Sequence, residues 1–145
     1  MASKSQKIRK RTASRIGSRQ DAIEPLSLQV KASQQTPGST LIDTVPFTAS
    51  QTKRLLIEFI TVRAFIPTGR FLFGILLIST GKAFVAHQLN LSQVTFSDFS
   101  TLYAASQLVL VYVDPGSTIS FQFVLSAPSG QATADVTFCG RFLRP

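Results

Sequence analysis

Residues 117–126 read Ser-Thr-Ile-Ser-Phe-Gln-Phe-Val-Leu-Ser. Ile119, Phe121, Phe123 and Leu125 fall on one parity, and mostly small or polar residues fall on the other. A period of two is the signature of a strand with one face buried. Turn chemistry brackets the stretch, with Asp114-Pro115-Gly116 before it and Pro128-Ser129-Gly130 after it. These residues favour tight reversals because Pro presets φ and Gly accepts positive φ. Beyond the second turn, Ala132, Ala134, Val136, Phe138, Gly140 and Phe142 share one face of a final strand. Before the first turn, Gln107–Val113 is apolar and strand-like.

The same texture extends back to Leu26. Leu26, Leu28 and Val30 alternate with Ser27, Gln29 and Lys31, and Gln34–Ser39 is a polar break around Pro37-Gly38. Thr40–Val45 is a short strand candidate that ends at Pro46. Arg54–Ile66 is β-branched and apolar on both parities, so both of its faces are expected to be covered. Arg70–Ser79 and Ala83–Leu91 follow, separated by Thr80-Gly81-Lys82, with Val85, His87, Leu89 and Leu91 on one face. Ser92–Ser100 reads as loop or short irregular strand. No stretch carries a helical stripe. About eight strands between Gly/Pro turns predict an all-β fold, an antiparallel β-sandwich of jelly-roll-like form spanning residues 23–145.

The charge is segregated. The chain of 145 residues carries a formal +8. Residues 1–20 hold Lys4, Lys7, Arg9, Lys10, Arg11, Arg15 and Arg19 with no acid, whereas residues 21–145 hold eight Lys/Arg against seven Asp/Glu. Residues 1–22 therefore read as a basic, flexible N-terminal arm, since like charges repel and nothing apolar is available to bury. Many cations on a pliable segment bind phosphate through counterion release, without fixed geometry. The seven cations are the candidate nucleic-acid-binding residues. No aromatic residue is interleaved among them, which favours contact with the backbone over base stacking. A solubility tail, an import signal or an anionic-lipid patch are the competing readings. A transit peptide is a further rival, because the segment is rich in Arg and Ser. No secretory h-region follows the basic start, and no apolar run approaches the roughly 20 residues of a membrane span.

Little in the sequence supports catalysis. His87 is the only histidine and Cys139 the only cysteine, so no intrachain disulfide or cysteine-based zinc site is possible. A thiol nucleophile needs a base beside it, and no motif links these two residues. Both read as structural. Asp98 or Asp114 could contribute to a calcium site at a subunit contact, but turn formation already accounts for Asp114. No phosphate-cradling glycine loop, nucleophile elbow or paired-carboxylate motif occurs. No enzyme activity, cofactor or metal is expected. Twelve Phe residues are more than a small sandwich core needs. Either subunit interfaces take up the surplus, or loops and residues 23–46 cover an outer face.

A basic arm, acid-free through residue 20, followed by a Phe-rich β-sandwich resembles the coat proteins of small icosahedral single-stranded RNA viruses. The resemblance is architectural and covers the whole chain. It implies a jelly roll that forms a shell and an arm that neutralises RNA inside it. The expected partners are nucleic acid, RNA rather than DNA, and further copies of the chain as a homo-oligomer. The implied location is a virion or the host cytoplasm. About 60 copies closed by symmetry would carry roughly 420 arm charges. A second resemblance covers residues 46–143. Phe47-Thr48, Lys53-Arg54-Leu55-Leu56-Ile57-Glu58, Pro67-Thr68-Gly69, Ala86-His87 and Val111–Gly116 are similar to small uncharacterised bacterial β-sandwich proteins. It implies a bacterial ligand-binding module whose arm serves anchoring or targeting.

Overall fold

The computed structural model describes residues 24–34, 38–95, 100–128 and 131–143. Among these every regular element is a strand: β1 (Glu24–Ser33), β2 (Leu41–Thr44), β3 (Phe47–Thr48), β4 (Arg54–Pro67), β5 (Leu72–Thr80), β6 (Ala83–Leu89), β7 (Ser92–Thr95), β8 (Ser100–Val113), β9 (Thr118–Leu125) and β10 (Thr133–Leu143). No helix long and apolar enough to cross a membrane occurs among the described residues. All pairings are antiparallel, and the strands form one sheet in the order β6-β5-β9-β2-β1-β10-β4-β8-β7, with β3 paired to β9.

This sheet is curled upon itself. The link between β1 and β2 consists of only two residue pairs, Ala32–Thr44 and Ser33–Asp43. A join that narrow lets the two halves fold toward each other. Phe121 on β9 and Phe138 on β10 have β2 and β1 between them in the hydrogen-bonded order. Their rings nonetheless meet at a centroid separation of 5.6 Å, and Phe47 meets Phe138 edge-on at 5.9 Å. Such tilted and edge-on ring pairs add to the stabilisation from area burial alone. The predicted alternation holds in the core. Ile119, Phe121, Phe123 and Leu125 are buried, as are Ala132, Ala134, Val136 and Phe138.

Strand β4 departs from the simple pattern. Its inward row is Leu55 and Ile57, then Ile60, Val62, Ala64 and Ile66. The parity changes at Glu58. Opposite β10 the register passes from Cys139–Phe59 to Gly140–Ile57, so Glu58 is an extra residue and the strand carries a β-bulge there. The two apolar parities in the sequence are thus largely one inward row interrupted by the bulge. Its outward row is buried at Leu56, half-buried at Phe59, Thr61 and Phe65 and open at Arg63. β1 and β2 join the sheet edge to edge and do not lie over a face.

The bulge dictates a glycine. A Cβ on Gly140 would overlap the main-chain carbonyl of Leu56, and that carbonyl cannot swing aside as a side chain does. The reason is steric, since Gly140 does not adopt positive φ. At the Asp114-Pro115-Gly116 turn the reason is conformational, with φ at 76° on Gly116. Two elements differ from the sequence expectation. β8 begins at Ser100, well before Gln107, and β3 was not anticipated. Ser92–Ser100 resolves in part into β7, which pairs with Thr101–Ala104 of β8.

Gly140→Ala is expected to destabilise the domain by about 1–3 kcal/mol, the usual range for overpacking. Phe138→Ala, which removes the ring shared by Phe47 and Phe121, is expected to cost about 3–5 kcal/mol. Urea unfolding midpoints measure both.

Candidate nucleic-acid interface

Lys4, Lys7, Arg9, Lys10, Arg11, Arg15 and Arg19 lie outside the described residues, as do the arm of residues 1–22 and Asp98. What the structure does describe is the surface from which that segment departs. β1 begins at Glu24, paired in register with Phe142 of β10, and the neighbouring Leu143 pairs with Arg54 of β4. The start of β1, the end of β10 and the start of β4 therefore share one end of the sheet.

Six charged side chains gather in this region, and they form three pairs. Lys53 Nζ donates to Glu24 at 2.7 Å, Arg54 to Asp114 at 2.9 Å, and Arg141 to Glu58 at 3.2 Å. All six side chains are at least a third exposed. Exposed pairs of this kind contribute about 0–1 kcal/mol, so they do little for stability. Their electrostatic consequence is larger. Every carboxylate described at this end already faces a cation of the domain. The domain thus supplies no unpaired acid here to hold the seven basic residues that precede β1.

His87 is half-buried on β6, and Cys139 sits on the outer face of β10 with its Sγ 3.5 Å from Ser27 Oγ. Five strand steps separate β6 from β10 in the sheet, and the hydrogen-bond contact of Cys139 is with Ser27. Asp114 Oδ1 accepts from Arg54 Nε, and its main-chain carbonyl accepts from Ser117 N. Among the described residues no group of three or more His, Cys, Asp or Glu could hold a metal ion.

Among the open grooves of the described surface, three have volumes of about 360–370 Å³ each. One lies at the Phe65–Pro67 end of β4. One lies beside Asp43, Pro46, Ser120 and Gln122. The third lies between β6 and the end of β8, with Val85, His87, Tyr112 and Asp114 in its walls. Asp43 was not anticipated, because a lone acid in a short strand gives no local signal. Burial pushes its carboxyl above the ordinary value of 3.8, and a hydrogen bond with Gln122 opposes the shift. Its Oδ1 is buried without a hydrogen-bond partner.

Large apolar side chains are exposed on specific strands. Phe71 and Phe73 stand out at β5, Phe84 and Val85 on β6, and Leu108, Leu110 and Tyr112 on β8. Of the twelve Phe residues, then, only these three are among the exposed large side chains described. No family model, curated protein or solved structure matches the chain.

The raised Asp43 carboxyl sets the sign of a pH effect. Above its unfolded pKa the unfolded state gives up the proton more readily than the folded state. Stability therefore falls as pH rises from 3.8 through the raised folded value. Asp43→Asn is expected to be more stable than the wild type at pH 7 and near parity at pH 3. Urea titrations at the two pH values test this, and equal differences at both would remove burial of the carboxylate as the cause.

Proposed function

We propose that the chain is a structural assembly protein, in the manner of the coats of small single-stranded RNA viruses. Its β domain self-associates, and residues 4–19 bind nucleic acid through charge alone. The observation that carries this reading is the separation of charge. Residues 1–20 hold seven cations and no acid, and the carboxylates described where β1 begins are already paired within the domain. Cations that the domain does not neutralise are available to an external polyanion. Phosphate backbones fit, because binding to them requires charge density and chain pliability but no fixed pocket.

The strand order supports the finer fold reading. With the two-pair link between β1 and β2 set aside, the sheet divides into β1-β10-β4-β8 and β2-β9-β5-β6. Two layers of four antiparallel strands, each mixing strands from both ends of the chain, are what a jelly roll requires. On this reading the ring pair Phe121–Phe138 bridges the two layers. On this reading β3 and β7 are short additions to the two layers. Exposed leucines on β8 and phenylalanines on β5 and β6 supply apolar surface for self-association.

Seven charges engaged on single-stranded RNA predict a log–log salt slope of roughly −5, and each Lys or Arg changed to Ala should reduce it by about 0.7. Removing residues 1–20 is expected to abolish retention of nucleic acid while the domain stays folded. Size exclusion at low salt, read at 260 and 280 nm together, measures this sensitively because the chain has no Trp and two Tyr. A truncated protein that still retains nucleic acid would falsify the role of the arm.

A further inference from the structure

We infer that the two uncharged strand edges on β6 and β8 form the self-association surface, with the β8 edge of one copy pairing antiparallel with the β8 edge of a second. The inference rests on the self-association proposed above and names the surface that performs it. β8 is paired to β4 along one side, but on the other side β7 covers only Thr101–Ala104. Among the described residues Ala105–Val113 has no strand partner on that side. β6 likewise pairs only with β5. The two edges flank the groove walled by Val85, His87 and Tyr112.

An unpaired edge is a row of N–H and C=O groups that accepts another strand. Monomeric proteins usually guard such edges with Lys, Pro, a bulge or an inward charge. Neither segment has a charge or a proline, and the one irregularity is the register shift of β8 against β4 between Leu108 and Val111. Ala83–Leu89 reads Ala-Phe-Val-Ala-His-Gln-Leu, and residues 105–113 read Ala-Ser-Gln-Leu-Val-Leu-Val-Tyr-Val. The sixteen residues contain no Lys, Arg, Asp, Glu, Pro or Gly. They also carry the largest concentration of exposed apolar side chains: Leu108 is 84% exposed, Leu110 76%, Phe84 74%, Tyr112 61% and Val85 54%.

A second copy is the occupant that fits. An antiparallel edge is complementary to itself about a two-fold axis. A register centred on Val109 sets Leu108 beside the partner's Leu110 and Tyr112 beside the partner's Ser106, so apolar side chains meet and no charge is buried. Specificity for a foreign partner generally uses charge or a repulsive element, and these edges have neither. The area is that of a weak single contact. Two strands about 25–30 Å long, facing outward across one groove, present on the order of 600 Å². A stable interface takes roughly 800 Å² from each partner. One such contact is weak, and a closed assembly that repeats it multiplies its strength.

The test uses the full chain, freed of nucleic acid by nuclease and high salt, in sedimentation velocity across micromolar concentrations. The wild type is expected to associate. The double variant Leu108→Lys/Leu110→Lys is expected to weaken association at least tenfold, with an unchanged circular dichroism spectrum because both side chains are exposed. Val45→Lys, at an equally exposed apolar residue away from both edges, should associate as the wild type does. In a Cys139→Ser background, an equal mixture of Leu108→Cys and Leu110→Cys chains should form a disulfide between the two different chains on mild oxidation. If the double variant associates like the wild type, the surface is elsewhere and the assembly reading stands without it. If the wild type stays monomeric at every concentration, both readings fall.

Discussion

The contact of Phe138 with Phe121 and Phe47 is the constraint on which the rest of the molecule depends. In hydrogen-bonding terms the protein is one open antiparallel sheet with free strands at its ends. Left flat, such a sheet would expose a continuous apolar face formed by the inward rows of β4, β5, β9 and β10. Large twisted sheets avoid this by curling or by splitting into packed layers. Here the fold-over occurs where β1 and β2 share only two residue pairs. Phe138 closes it from the β10 side and Phe121 and Phe47 close it from the β9 side. The bulge at Glu58 assists, since an extra residue sharpens local twist and brings the strand into line with the closing sheet.

That closure explains which features were legible in the sequence. Residues 118–125 and 133–138 alternate cleanly because each has one face on the closed interior. β4 has both faces largely covered, as its two apolar parities imply, but its inward row changes parity partway along the strand. The extra residue at Glu58 flips the inward parity, and its cause lies in pairing with residues about 80 positions away. The first half of β8 gave no signal because Ser100–Ser106 mixes small, polar and apolar residues without a row of large apolar side chains on one parity. Its burial is satisfied only by tertiary contacts: Tyr103 donates from its hydroxyl to the carbonyl of Arg70 at 3.3 Å. β3, at two residues, is shorter than any periodic signal. Asp43 gave no warning, because its burial depends on neighbours from β1 and β9.

The charge pattern was legible in full, because seven cations without an acid need no fold to be recognised. The structure adds the partnering of the acids where β1 begins. The apolar excess was legible only as an excess. Gln107–Val113 is apolar on both parities, and periodicity cannot say which face is inward. The fold decides: Val111 and Val113 are buried, and Leu108, Leu110 and Tyr112 are exposed.

Curling removes the apolar face of a sheet but does not remove its edges. Only full closure would do that, and β6 and β8 stop short of each other across the groove that holds His87 and Tyr112. A chain that functioned alone would be expected to place a lysine or proline on one of these edges at little cost to its core. Seven cations in this chain instead precede β1, and Ala105–Val113 has none. The domain edges are thus left free of charge repulsion between copies, while the basic residues are collected in a separate segment. In the assembly proposed above, such a division would separate two demands. Apolar and main-chain contacts would draw the domains together, and a bound polyanion would relieve the repulsion among the basic segments. Association of the domains and binding of nucleic acid would then reinforce each other, because every added copy would bring seven more cations to the same strand.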